Sequence, residues 1–174
     1  DCRVRTNGTT WTETVIATTG NQVSCGNPVS DRGLLVGLWP ALAYDSTGKL
    51  FFAYRDGHDG QFPQQDWSGS DVEIWEGVPP GTGVCGAQGG NNKDAYGGHL
   101  QMVIGPDDQP AIIHDQMFGT SDANGINVIF QKRTTTGWRA PTGTLINVSN
   151  TQTGASLAYD ATEGFGIAVV DRGT

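Results

Sequence analysis

Positive charge is the first thing this chain lacks. Its 174 residues include ten Lys and Arg against eighteen Asp and Glu, a net charge of −8. The ten cations are scattered, so no basic patch exists to neutralise phosphates, which excludes nucleic acid as a partner. Cysteine is scarce too. Cys2, Cys25 and Cys85 are too few for a disulfide scaffold and have no CxxC spacing. They fit one disulfide with one thiol left over. No run approaches the roughly 18 to 20 apolar residues that a membrane-crossing helix needs, so no membrane span is expected. Helical periodicity is missing throughout, with no useful series at i, i+3, i+4 and i+7. The chain opens on Asp1, not Met, which points to processing, trimming or excision. There is no GxSxG elbow, P-loop, HExxH or strand-following GxGxxG.

What is present is a repeat. Ala41-Leu-Ala-Tyr-Asp45 returns as Ser156-Leu-Ala-Tyr-Asp160, and in each case another Asp follows eleven residues on, at Asp56 and Asp171. A degraded copy runs from Leu100 to Asp115. A recurring unit of about sixty residues is the mark of a repeat architecture. Each copy contains a short apolar, β-prone run: Leu50 to Tyr54, Ala111 to Ile113, and Phe165 to Val170. Each run follows a turn rich in Gly, Asp or Pro, at 45–48, 105–108 and 160–164, residues that supply turn dihedrals or local hydrogen bonds. The expectation is an inner β-hairpin per unit, over about 41–56, 100–115 and 156–171.

A second hairpin follows. It is clearest from Asn127 to Phe130, through the turn at 134–137, to Trp138 and Ile146. Its counterpart begins at Cys2, turns at Asn7-Gly8 (a strong hairpin signal) and continues through Trp11 to Ile16. The chain therefore starts on an outer hairpin and ends on an inner one, so strands 2–16 would complete the unit begun at the C-terminus. Four-stranded units offset in this way resemble the blades of β-propeller repeat proteins, and the likeness spans nearly all of residues 1–174 as a single unit. The sialidase Asp-box and the Trp-Asp and Kelch signatures are absent, so no enzyme or lectin family is matched. The resemblance implies an all-β fold of about three blades. Propellers carry four to eight, so a second chain, identical or different, is expected to complete six or more. The alternative is a β-sandwich, which does not explain the repeat.

Candidate functional residues follow from the ends of the inner hairpins: Tyr54-Arg55-Asp56, Ile113-His114-Asp115 and Val170-Asp171-Arg172. The recurring Asp suits backbone capping at a strand end. On this count Arg55, His114 and Val170 vary at one framework position, as a ligand site built on only some units would require. His99 precedes the strand that pairs with the one ending at His114, and His58 sits on the loop after Arg55. A cluster of His99, His114, Tyr54 and Arg55 suits proton transfer, and neutral imidazoles equally suit a transition metal. Asp56, Asp59 and Asp66 offer oxygens to calcium, without the EF-hand pattern. Trp39, beside Pro40, and Trp67, in a long loop, are candidate stacking platforms, with His58, Asp56 and Asp115 as polar ligand contacts. The acidic, Thr- and Gly-rich character points to a secreted or extracytoplasmic protein; Asn7-Gly-Thr9 and Asn147-Val-Ser149 match the glycosylation acceptor pattern, as Thr-rich sequence often does by chance. The leading expectation is a binding module for a glycan or peptide. The alternatives are an enzyme acting on polysaccharide, since several propeller lyases combine His, Tyr and Arg, and a scaffold subunit of a larger propeller.

Overall fold

The computed structural model describes residues 2–6, 10–14, 36–56, 71–77, 82–87, 94–118, 126–138, 144–148 and 155–169. They form an all-β structure of antiparallel strands with no helix. Strands β1 (Cys2–Thr6) and β2 (Thr10–Thr14) make a hairpin. A four-stranded sheet follows in simple chain order: β3 (Val36–Tyr44), β4 (Leu50–Asp56), β5 (Asp71–Glu76) and β6 (Thr82–Ala87). The second sheet repeats that order with β7 (Asp94–Ile104), β8 (Pro110–Phe118) and β9 (Ile126–Thr134). Its fourth position is shared by β10 (Gly137–Trp138) and β11 (Thr144–Val148), both paired with β9. A last hairpin joins β12 (Ala155–Asp160) to β13 (Gly164–Val169).

The three inner hairpins close identically. Tyr44 pairs with Leu50, Ile104 with Pro110 and Tyr159 with Phe165. The Asp of each Leu-Ala-Tyr-Asp copy builds its turn: Asp45 Oδ1 accepts from the Thr47 and Lys49 amides at 3.0 and 2.8 Å. Asp160 Oδ1 accepts from the Thr162 and Glu163 amides at 2.8 and 3.0 Å. These carboxylates occupy turns because their acceptors satisfy amides that the tight reversal leaves unpaired.

This register corrects one alignment. Counting from Asp56 and Asp115 makes those two residues equivalent, but the paired positions differ by sixty, Tyr44 to Ile104. Arg55 therefore shares its position with Asp115, and Tyr54 shares its position with His114. The Asp landmark misleads because the middle copy carries its Asp one residue early. A slip of one residue exchanges the two faces of a strand, so His114 and Arg55 occupy opposite faces of their respective units.

Packing follows the same alternation. Ala53, Val72 and Ile74 of the first sheet meet Leu100 and Ile112 of the second, with Ala41 and Met102 beside them. Ile113 and Val128, on the other face of the second sheet, meet Ala155 and Leu157 of the last hairpin, with Phe165, Ile167 and Val169 around them. At the turn end, Glu76 ties the first two sheets together. Its carboxylate accepts from Arg133 Nε and Nη2 at 2.7 and 2.9 Å, from Lys49 Nζ at 3.0 Å and from Trp138 Nε1 at 3.2 Å. Burial pushes Glu76 up, but the bonds and charges of Arg133 and Lys49 outweigh it and hold its carboxyl below the usual range.

Candidate functional site

The end of the inner hairpins opposite the turns carries a distortion present in both sheets. In β3 the ladder shifts between Val36 and Leu38 and again between Leu38 and Ala41. In β7 it shifts between Tyr96 and Gly98 and again between Gly98 and Gln101. Gly37 and Gly97 have φ of 90° and 91°, and two residues on Trp39 and His99 have φ of 46° and 47°. A bulky residue held at positive φ is costly and persists only where its surroundings enforce it. Paired bulges of this kind re-aim side chains at the sheet end.

What they aim is a four-residue cluster between the first and second sheets. The Trp39 and His99 rings lie 5.6 Å apart, tilted by 42°. The Arg55 guanidinium sits 5.3 Å from the Trp39 ring centre, within cation–π range. His99 Nδ1 lies 2.6 Å from Asp115 Oδ2. Trp39 is 38% exposed, whereas Arg55 and Asp115 are 1% and 3% exposed. The arrangement is an exposed aromatic lip over a buried charged floor. Burial draws Arg55 down to about 10, against the upward pull of Asp115, so it stays cationic at neutral pH. Gly98 makes the floor accessible to β7, since a Cβ there would lie 3.3 Å from Asp115 Cβ.

The chemistry of the cluster follows from these contacts. An ionised Asp115 accepts from His99 Nδ1–H, which leaves Nε2 on a half-exposed ring as the acceptor for solvent or ligand. Trp39 supplies an apolar face, and Arg55 supplies fixed positive charge beneath it.

The remaining candidates are placed elsewhere. His114 is fully buried, with Nε2 2.9 Å from Gln131 Oε1 and Nδ1 3.3 Å from the Asp115 carbonyl. Burial holds it below the ordinary histidine range, against the hydrogen bonds to Gln131 and Asp115. Tyr54 points to the face of β4 opposite Arg55. Its hydroxyl donates to Glu73 and accepts from Trp75 Nε1 at 3.2 Å. Burial, with the charge of Glu73 added, keeps its phenol protonated far above the usual range. Asp56 is buried at the end of β4 on the Tyr54 face, across from Val36 and Asp71. His58, Asp59, Trp67 and Asp66 lie outside the described residues, as does Cys25; Cys2 and Cys85 fall in β1 and β6. Among the described residues, no three His, Cys, Asp or Glu side chains converge as metal ligands.

Sequence reasoning found each member of the cluster but not its grouping. The missed signal is Gly37-Leu-Trp39 recurring sixty residues later as Gly97-Gly-His99. Comparisons of the chain with protein families, with curated proteins and with solved structures give no match, so the chemistry assigned to this junction rests on its own residues.

Proposed function

We propose that this chain contributes about three blades to an extracellular β-propeller that binds carbohydrate at the junction of its first two sheets. Two meanders of the same order and hairpins of one register support the blade reading, as do the twin bulges. Composition and charge support the extracellular reading. The observation that carries the binding reading is the strained Trp39–His99 lip over Arg55 and Asp115. A half-open indole face suits the apolar side of a sugar ring, and His99 Nε2 suits a hydroxyl at its rim. Arg55 adds attraction for a uronate carboxylate.

The test is titration of the protein with neutral and uronate-containing oligosaccharides, followed by calorimetry and tryptophan fluorescence. Trp39→Ala should weaken binding at least about tenfold, the equivalent of about 1.4 kcal/mol, and Trp39→Phe should retain part of it. Binding by Trp39→Ala at wild-type strength, or no binding by any sugar of either class, would refute the reading.

The 2.6 Å contact between His99 and Asp115 favours a second reading, an enzyme that cleaves polysaccharide with His99 as general base. A carboxylate that orients an imidazole is a common device for positioning a base. In that case His99→Gln abolishes the release of new chain ends while leaving sugar affinity within a few-fold of wild type. Undiminished release would eliminate it.

A further inference from the structure

Each internal junction joins one face of an inner hairpin to the opposite face of the next. At the first junction Ala41 and Ala53 meet Met102 and Ile112. At the second, Val103 and Ile113 meet Leu157 and Ile167. Two sides are left over. The bulky side of β3 presents Leu42 and Tyr44, exposed by 53% and 47%. The small side of the last hairpin presents Ser156, Ala158, Gly166 and Ala168, all exposed. A Cβ added at Gly166 would meet nothing within 4 Å, whereas its repeat equivalents Phe51 and Ala111 are 1% and 0% exposed. Leu42 is likewise the equivalent of Met102 and Leu157, and both of those are packed into inter-sheet clusters.

We propose that these two faces bind each other between two copies of this chain, the bulky side of one against the small side of the other. The occupant is a second copy because the leftover faces hold the repeat positions that are packed together at the two junctions already formed. A closed pair uses both faces of both copies and leaves neither exposed, as cyclic symmetry requires. The strand edges agree. Among the described residues β13 pairs only with β12, and β1–β2 pairs with no other strand. Each complete sheet adds an outer pair to its inner hairpin, so β1–β2 of one copy is suited to extend β13 of the other. The contact positions on both faces are uncharged. The net charge of −8 on each copy acts only at longer range and is screened over about 8 Å at 0.15 M salt. Closure of the pair into a ring rests on the propeller reading; the docking of the two faces does not.

The experiment is sedimentation velocity and light scattering of the whole chain at 0.15 M salt from about 1 to 100 μM, a range that brackets micromolar affinity. The expected particle has twice the chain mass of 18.4 kDa. Leu42→Asp and Ala158→Arg should each yield folded monomers with unchanged far-UV circular dichroism. Mixing the two variants should restore the pair, since one junction is intact and the other sets Asp against Arg. A wild-type monomer at 100 μM would overturn the proposal; Trp39-dependent sugar binding by that monomer would leave the site reading standing. A pair broken by Leu42→Asp but untouched by Ala158→Arg would mean bulky side against bulky side, and would also overturn it. Open chains that lengthen with concentration would overturn the closed pair and the propeller reading together.

Discussion

Gly97→Ala and Gly37→Ala together separate backbone strain from crowding at the candidate site. The two glycines occupy equivalent positions with φ of 91° and 90°, so an alanine pays the same conformational penalty at each, about 1–2 kcal/mol. Restricting the unfolded chain returns about 0.4–1 kcal/mol of that. Their surroundings differ. A Cβ at Gly97 would lie 3.0 Å from Arg55 Cβ, 3.1 Å from Val72 Cγ2 and 3.2 Å from Arg55 Cγ, whereas a Cβ at Gly37 meets nothing within 4 Å. Val72 is anchored in the core, so the strand or the Arg55 stem must move, and overpacking of this kind costs about 1–3 kcal/mol. Gly97→Ala should therefore lose about 1–4.5 kcal/mol and Gly37→Ala about 1.5 kcal/mol or less, a difference of about 1–3 kcal/mol. Urea unfolding followed by circular dichroism measures both, at one protein concentration because association shifts apparent stability. Displacement of Arg55 from beneath Trp39 should also shift the tryptophan emission in Gly97→Ala alone. Equal losses in the two variants would refute the crowding argument.

Other outcomes follow from buried groups. The folded-state pKa of His114 lies below its ordinary 6.5, so the unfolded chain takes up a proton that the folded chain refuses. Its contribution is complete above that pH and declines as pH falls through it. Urea unfolding from pH 8 to 5 should show this loss, and His114→Gln should flatten it; a flat wild-type profile would contradict the burial. Tyr54→Phe removes a donor from the buried Glu73 and should cost about 1–3 kcal/mol, measured by thermal unfolding; a change below 0.5 kcal/mol, within the usual surface range, would contradict it. Glu76→Gln weakens the contacts of Arg133, Lys49 and Trp138 and should cost about 1–3 kcal/mol, with that cost shrinking only in acid below the usual carboxylate range, because the wild-type carboxyl is held below it.

The strands and turns were legible where local chemistry decides them. Asp45 and Asp160 announce turns, Asn127 to Phe130 announces a strand, and the structure places both features there. β6 was not legible because Thr82-Gly-Val-Cys-Gly-Ala87 has little apolar alternation, and it is held by its neighbour β5. The starts of β3 and β7 were hidden for a related reason. Bulges interrupt the period of two on which strand reading depends, so Val36–Pro40 and Asp94–His99 do not look extended. The Glu76 hub escaped as well, since its partners come from two separate strands and a turn, and nothing local marks the meeting. Within the site, the residue types were readable and the faces were not. A one-residue slip at Asp115 was enough to group His114 with Arg55.

The faces also explain why one junction carries the candidate chemistry. By repeat position, Trp39 and His99 correspond to Gly154, and Arg55 and Asp115 correspond to Val170. The first junction thus combines an aromatic, an imidazole, a cation and a carboxylate. A framework needs only apolar faces that pack from one unit to the next, and both internal junctions supply them. Holding Trp39 and His99 at positive φ is different, because it works against stability at two positions and contributes nothing that a glycine could not supply more cheaply. Burying Arg55 adds a desolvation cost, visible in its lowered pKa. Three unfavourable choices gathered within one cluster are the pattern expected of a functional site and not of a framework.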